Sequence, residues 1–217
     1  LDGSFRKHFD MARFIKDEQL VLDVFSGFYG QKTGLQTAQN GLISLRPQLR
    51  LRMDELQLTL GANVSAQLDS VGKVLVYPVG RLDIYMVPDY LRIFLSVDGK
   101  IERNTLHELS EINPFLNTAV LPLDFTETKN ELKGGAIGGF GGIFNYTIQA
   151  RNRRMHSMFF FVNDTVPFVL PGDTIFTPNR FTLVHDKMDV FDVSLETSLT
   201  ISKRIEIQLS SAYFIYA

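Results

Sequence analysis

Ile43-Ser44-Leu45-Arg46-Pro47-Gln48-Leu49-Arg50-Leu51-Arg52-Met53 is the stretch on which the fold turns. Its odd positions carry Ile43, Leu45, Pro47, Leu49, Leu51 and Met53; its even positions carry Ser44, Arg46, Gln48, Arg50 and Arg52. Successive side chains of a strand point to opposite faces, so this segment predicts a strand with one apolar and one strongly polar face. After Asp54-Glu55 the alternation restarts. Leu56, Leu58, Leu60, Ala62, Val64, Ala66 and Leu68 share one face; Gln57, Thr59, Gly61, Asn63, Ser65 and Gln67 share the other. Ordinary strands peak near ~5–6 residues. A tilted strand crossing a bilayer needs about 9–11, and this second run reaches that length.

The same period recurs on both sides. Leu82, Ile84 and Met86 alternate with Arg81, Asp83 and Tyr85. Leu91, Ile93, Leu95 and Val97 alternate with Arg92, Phe94, Ser96 and Asp98. Later, Phe191, Val193, Leu195, Leu199 and Ile201 oppose Asp192, Ser194, Glu196, Ser198 and Thr200. Ile205, Ile207, Leu209 and Tyr213 oppose Glu206, Gln208 and Ser210. Connections alternate too. Short turns are expected at Lys16-Asp17-Glu18, Asp54-Glu55, Pro88-Asp89, near Gly139-Phe140-Gly141-Gly142, and at Ser202-Lys203-Arg204. Longer links are expected at 29–41, 69–73, 99–130 and 162–180. Tight turns at one end and long loops at the other are the rhythm of outer-membrane barrels. The expected fold is all-β: an antiparallel transmembrane β-barrel, or a fragment of a larger one, with about ten strands in an up-and-down meander. Residues 1–217 read as a single domain of this kind with no plug domain visible.

Two places resist the pattern. Pro47 cannot donate to a ladder, so a local break is expected there. Arg151-Asn152-Arg153-Arg154 puts charge on both faces. The strand before it is therefore expected to leave the membrane near Ala150, since a mid-bilayer charge costs about 2–4 kcal/mol.

Composition narrows the function. The net charge of −2 lacks the basic excess that neutralises phosphates, so no nucleic-acid partner is expected. Cysteine is absent, which excludes disulfides and cysteine metal sites. No apolar run is long enough for a transmembrane helix, which leaves a barrel open. The chain begins Leu1-Asp2-Gly3-Ser4, neither an initiator methionine nor a signal peptide, and reads as a mature or excised piece. Tryptophan is absent, so Phe and Tyr at strand ends are expected to supply the interface girdles: Phe25, Phe28 and Tyr29; Tyr85 and Tyr90; Phe159 to Phe161; Tyr213, Phe214 and Tyr216.

Catalytic and metal signals are weak. His8, His107, His156 and His185 lack metal-ligand spacing, and only His185-Asp186 with Asp189 invites inspection for a cation. The glycines at 134, 135, 138, 139, 141 and 142 lack the Lys-Ser or Lys-Thr of a phosphate loop and read as a tight turn with close strand approach. The expectation is a non-enzyme without cofactor. The polar face is the candidate site: Arg46, Arg50, Arg52, Arg81, Asp83, Arg92, Asp192, Glu196 and Glu206 form an expected lumen-facing wall. It is either a charge-selective lining or a set of self-solvating ladders such as Asp83 with Arg92.

Asn113-Pro114-Phe115-Leu116, Phe160-Phe161-Val162-Asn163-Asp164, and Asn179-Arg180-Phe181-Thr182 with Asp186 and Phe191 carry a family likeness. From about Leu42 onward the chain resembles the barrel portion of TonB-dependent-receptor-like outer-membrane proteins of Gram-negative bacteria. The resemblance implies an outer-membrane location and, in full-length members, a plug domain and energised nutrient uptake. The chain departs in showing no plug, no TonB-box segment, and about ten strands where the family closes with about 22. The expected function is part of a TonB-dependent-receptor-like or porin-like transporter, for uptake or binding of an unknown solute at the cell surface. Expected partners are outer-membrane lipid and other outer-membrane or periplasmic proteins. The rivals are a soluble β-rich surface or adhesion protein, a structural component of an outer-membrane complex, and a barrel-wall lipid hydrolase using Ser157 or Ser194.

Overall fold

The computed structural model describes residues 2–9, 17–33, 36–68, 72–87, 90–117, 124–164, 168–170, 174–176, 180–202 and 205–217. Their strands are β1 (Asp2–Phe9), β2 (Asp17–Thr33), β3 (Gln36–Arg52), β4 (Leu56–Leu68), β5 (Val74–Val87), β6 (Leu91–Arg103), β7 (Phe125–Phe140), β8 (Phe144–Asn163), β9 (Phe168–Leu170), β10 (Thr174–Phe176), β11 (Phe181–Ser202) and β12 (Ile205–Tyr216). One helix, α1 (Leu106–Ile112), lies between β6 and β7. Ten strands form one antiparallel sheet in the order β1-β2-β3-β4-β5-β6-β7-β8-β11-β12, with β9 and β10 paired separately as a small hairpin. Among the described residues the sheet is an all-β meander that does not close, with β1 and β12 at its edges.

The links Asp54–Glu55 and Gly141–Gly142 are short turns as expected, the second with both glycines at positive φ. Lys16, Pro88-Asp89, Lys203-Arg204 and residues 69–71 of the 69–73 link lie outside the described residues, while Asp17 and Glu18 of the first expected turn already belong to β2. The 29–41 link is corrected. β2 and β3 pair through Thr33↔Gln36, so most of that stretch is strand. The 99–130 link also shrinks, because β6 runs to Arg103 and β7 starts at Phe125. The helix within it starts with a reciprocal capping box: Glu108 N–H donates to the Thr105 hydroxyl oxygen, and the Glu108 carboxylate accepts from the Thr105 backbone. The 162–180 link contains the β9–β10 hairpin. Pro47 behaves as expected. It holds register with Leu22 in β2, while pairing to β4 skips from Leu45↔Val64 to Gln48↔Gly61. The expectation at Ala150 needs refinement, since β8 continues unbroken to Asn163. Arg151 and Arg153 both turn inward onto Asp192, and the exposed Arg154 pairs with Asp189.

Register and burial together separate two faces. One carries Ile93, Ala136, Ile148 and Leu195 in one cross-strand row, and Leu95, Gly134, Ala150 and Val193 in the next. Its large apolar residues are exposed: Leu60 is 50%, Leu95 52% and Ile148 50% accessible. The other face holds Asn63, Ser65, Asp83 and Asp192, all buried, with Asp83 at 3% and Asp192 at 1%. A sheet folded for water does the opposite, since exposing leucines while burying carboxylates forfeits the hydrophobic term. The arrangement is favourable where the outer face meets hydrocarbon. Along β8 the outward positions run from Phe144 to Asn152. Eight residues at ~3.3 Å make ~26 Å of strand, or ~20 Å of height at a ~40° tilt, close to the ~25 Å apolar band of such walls.

Of the expected girdle aromatics, Tyr90 lies at the short-turn end, Phe25, Tyr213, Phe214 and Tyr216 are exposed, Tyr85, Phe159 and Phe161 are placed otherwise, and the side chains of Phe28 and Tyr29 lie outside the described residues. Tyr90 lies against Phe140 and Phe144 against Tyr146, with centroids 6.2 and 6.0 Å apart, beside the β7–β8 turn. Tyr85 instead lies under the Arg92 guanidinium on the inner face. Phe159 and Phe161 pack with Leu183 against Leu109 and Leu106 of α1, burying Leu109.

β6 pairs with β5 only as far as Val97↔Gly80. Beyond a register shift between Asp98 and Lys100, its end rolls across the inner face. Asn63 Nδ2 donates to the Gly99 carbonyl at 3.0 Å, and Ile101 and Phe125 pack on Leu42 and Tyr77. Gly99 permits this crossing, because a Cβ there would meet Tyr77 Cβ, Tyr77 Cδ1 and the Lys129 carbonyl oxygen at 2.8 Å each. Gly99→Ala is expected to cost about 1–3 kcal/mol through overpacking, read as a lower urea midpoint in detergent micelles. An unchanged midpoint would mean the crossing is loose.

Candidate functional site: the polar inner wall

The nine polar-wall candidates share the inner face by register, and the ion pairs sort them into groups. Asp83 on β5 accepts Arg81 Nε at 2.7 Å and Arg81 Nη2 at 2.9 Å, a bidentate pair, with Arg92 Nε at 3.7 Å. The Arg81 guanidinium also stacks over Phe94 at 4.9 Å. A fork that meets both carboxylate oxygens is the strong form of such a contact. The expected Asp83–Arg92 pair therefore exists, but Arg81 is the closer partner.

Asp192 on β11 accepts Arg151 Nε at 2.9 Å and Arg153 Nη2 at 3.4 Å. Neither arginine was among the wall candidates, although their alternation with Asn152 puts both on one face of β8. Arg46 Nη2 reaches Asp98 Oδ2 at 2.5 Å, from β3 to β6 across two intervening strands. Only a sheet rolled toward this face brings those strands within reach. Arg50 donates to Gln48 Oε1 at 3.4 Å and meets no carboxylate among the described residues, and Arg52 is exposed at the strand end. Glu196 and Glu206 stand apart, lining a recess of about 520 Å³ with Asn145, Thr147 and Gln208 on β8, β11 and β12. Gln208 Nε2 donates to Glu206 at 3.0 Å. Charge is thus graded along the wall, basic over β3–β8 and acidic at β11–β12.

A larger cavity of about 670 Å³ lies where the β6 crossing and the first turn of α1 face β1–β3, with Asp23, Phe25, Arg46, Lys100, Glu102 and Glu108 in its lining. The residues that carried the family likeness come together near the far end of α1. Phe181 N–H donates to the Phe115 carbonyl at 3.0 Å and Asn117 N–H to the Phe181 carbonyl at 2.7 Å. Arg180 Nε donates to Asp164 Oδ2 at 2.7 Å, and Asn117 Nδ2 shares that oxygen at 3.2 Å. These motifs clasp the β6–β7 connection onto the start of β11.

His185, Asp186 and Asp189 do not assemble a metal site. No group of three potential ligands occurs among the described residues, and Asp189 is engaged with Arg154. Ser194 Oγ is buried without a hydrogen-bond partner, and no histidine among the described residues bonds to it or to Ser157.

No model of a known protein family matches the chain, and no curated protein matches it. Solved structures do. The whole chain superposes on the alcaligin outer-membrane receptor FauA of Bordetella pertussis with a TM-score of 0.61 and 15% identity, covering 38% of that receptor. It superposes on a chain of the FpvAI–pyocin S2 complex with a TM-score of 0.58 and 12% identity, covering 32%. BauA, the ferric preacinetobactin receptor of Acinetobacter baumannii, matches 99% of the chain with a TM-score of 0.57 and 14% identity, covering 36% of BauA. The chain therefore spans about a third of the length of these proteins. At these identities the likeness is one of fold: an arc of receptor-type barrel wall.

Proposed function

We propose that the chain forms part of the wall of an outer-membrane receptor or transporter, with its apolar face in lipid and its polar face toward a solute-binding or solute-passing lumen. Arg46, Arg50, Arg52, Arg81, Asp83, Arg92, Asp192, Glu196 and Glu206 line that lumen. The observation that carries the reading is the inverted burial, with exposed Leu60, Leu95 and Ile148 on one face and buried Asp83 and Asp192 on the other. The likeness of fold to outer-membrane receptors supports the location. The wall's paired charges would keep water and polar cargo solvated, while loops at the long-link end, near α1, carry recognition.

The absence of native cysteine gives a direct test. Gln57→Cys, on the inner face, is expected to react with a water-soluble maleimide in lipid vesicles. Leu60→Cys, three residues on and facing outward, is expected to be protected from it and to be quenched by a nitroxide carried on a lipid chain. A soluble sandwich would stay monodisperse without detergent and would protect Leu60→Cys with no lipid present, and that result would end the membrane reading.

A further inference from the structure

One cross-strand row of the inner wall consists of hydrogen-bond donors almost without interruption. The register runs Gln19↔Arg50, Arg50↔Thr59, Thr59↔Arg81, Arg81↔Ser96, Ser96↔Lys133 and Lys133↔Arg151, and only then reaches Asp192. From β3 to β8, cations and hydroxyls alternate as Arg, Thr, Arg, Ser, Lys, with Arg151 after them. Neighbouring strands lie ~4.8 Å apart, so cations on alternate strands sit ~10 Å apart with a hydroxyl between each pair. Arg50, Thr59, Arg81, Ser96 and Lys133, with Arg46 above them, line one recess of about 240 Å³.

The charges of this recess are not balanced internally. Its lining has four cations, Arg46, Arg50, Arg81 and Lys133, against two carboxylates, Asp98 and Glu131. Asp98 is occupied by Arg46 and by the Gly99 N–H. Arg81 is satisfied by Asp83, outside the recess. Arg50 and Lys133 form no ion pair among the described residues, and Arg46 Nε is buried without an acceptor. A wall built only to solvate itself would match these donors with acceptors, as it does at Asp83 and Asp192.

We propose that this row is a binding site for a small, multiply charged oxyanion of the polycarboxylate or phosphate class. The inference rests on reading this face as a water-filled lumen, and names the chemistry of a ligand for it. Lys133 and Arg50 supply the charge, and the Thr59 and Ser96 hydroxyls lie between the cations, with Ser96 Oγ donating at 3.4 Å to the Lys133 carbonyl until a ligand displaces it. Donors spread over several strands suit an anion with more than one oxygen-bearing group. The recess volume favours a small solute over a protein segment.

Citrate titrated calorimetrically into the full chain, folded in detergent micelles at low ionic strength, is the test, with inorganic phosphate as the single-centre comparison. The expected result is saturable citrate binding, weakened about tenfold by Lys133→Gln and again by Arg50→Gln, retained in Lys133→Arg, and unaffected by Lys73→Gln. Phosphate binding with the same variant dependence would support the site and assign it to single-centre oxyanions. Citrate binding indifferent to both substitutions, or no binding of either anion by protein whose gel migration shifts on heating, would overturn the proposal while leaving the membrane reading intact. An acidic peptide that binds through Lys133 and Arg50 where citrate does not would also overturn it, in favour of a protein partner. Loss of detergent dependence, by contrast, would remove the lumen reading itself.

Discussion

Ile148→Arg is expected to destabilise the wall by about 2–4 kcal/mol, whereas Asn152→Arg, four residues further along the same outward line, is expected to cost about 0–1 kcal/mol. Both positions point outward on β8. Ile148 shares its row with Ile93, Ala136 and Leu195, at the middle of the apolar stretch between Phe144 and Asn152. A guanidinium there must be dragged out of hydrocarbon, while one at the Asn152 level reaches the headgroups by snorkelling. The measurement is the urea midpoint of each variant folded into phospholipid vesicles. Water makes the contrary forecast. Ile148 is half exposed, and an exposed substitution on a sheet in water moves stability within about 0.5 kcal/mol. Equal midpoints for the two variants would therefore remove the lipid face, whatever the fold.

The depth dependence also explains which parts of the chain were legible in its sequence. Wherever two media meet the sheet, alternation is enforced residue by residue, and Ile43–Met53 and Leu56–Leu68 could be read directly as β3 and β4. Past the apolar band no lipid demands alternation. Residues 29–41 are polar and glycine-bearing and lack alternation, yet β2 and β3 stay paired as far as Thr33↔Gln36. The register shifts were hidden for a related reason. An inserted residue breaks the period, so Asp98-Gly99-Lys100 resembled the end of a strand rather than a bend within one. The helix was readable and missed. Thr105-Leu106-His107-Glu108 has capping-box spacing and Leu109 and Ile112 follow on one face, but the helix is only seven residues long and lies inside the long polar link between two strands. Of the wall, alternation could place Asp83 and Asp192 on a common face. It could not choose their partners, because Arg81 lies two residues from Asp83 on the same strand while Arg151 comes from a strand some forty residues away. Arg46 with Asp98 needed the roll of the sheet, which no local pattern encodes.

Asp192→Ala is the second large effect expected, at about 3 kcal/mol, and it tests whether the inner wall is held by its charges or merely decorated with them. Asp192 is 1% accessible and receives two guanidiniums. Removing one partner of a buried pair costs about 3–5 kcal/mol, because the charge left behind keeps its desolvation penalty. Arg151 and Arg153 retain 26% and 24% exposure, so water recovers part of that loss and the lower end of the range applies. Asp189→Ala is the internal comparison, three residues away on β11. Its pair with Arg154 is 47% and 60% exposed, and such surface pairs contribute about 0–1 kcal/mol. The two variants, followed by urea unfolding in the same micelles, should differ by at least about 2 kcal/mol. Replacing Arg151 and Arg153 by glutamine in the Asp192→Ala background should recover much of the loss, since no buried charge is then stranded. If Asp192→Ala costs no more than Asp189→Ala, the pairing does not hold the wall. The basic arc of β3–β8 would then owe its arrangement to what it binds rather than to what it supports.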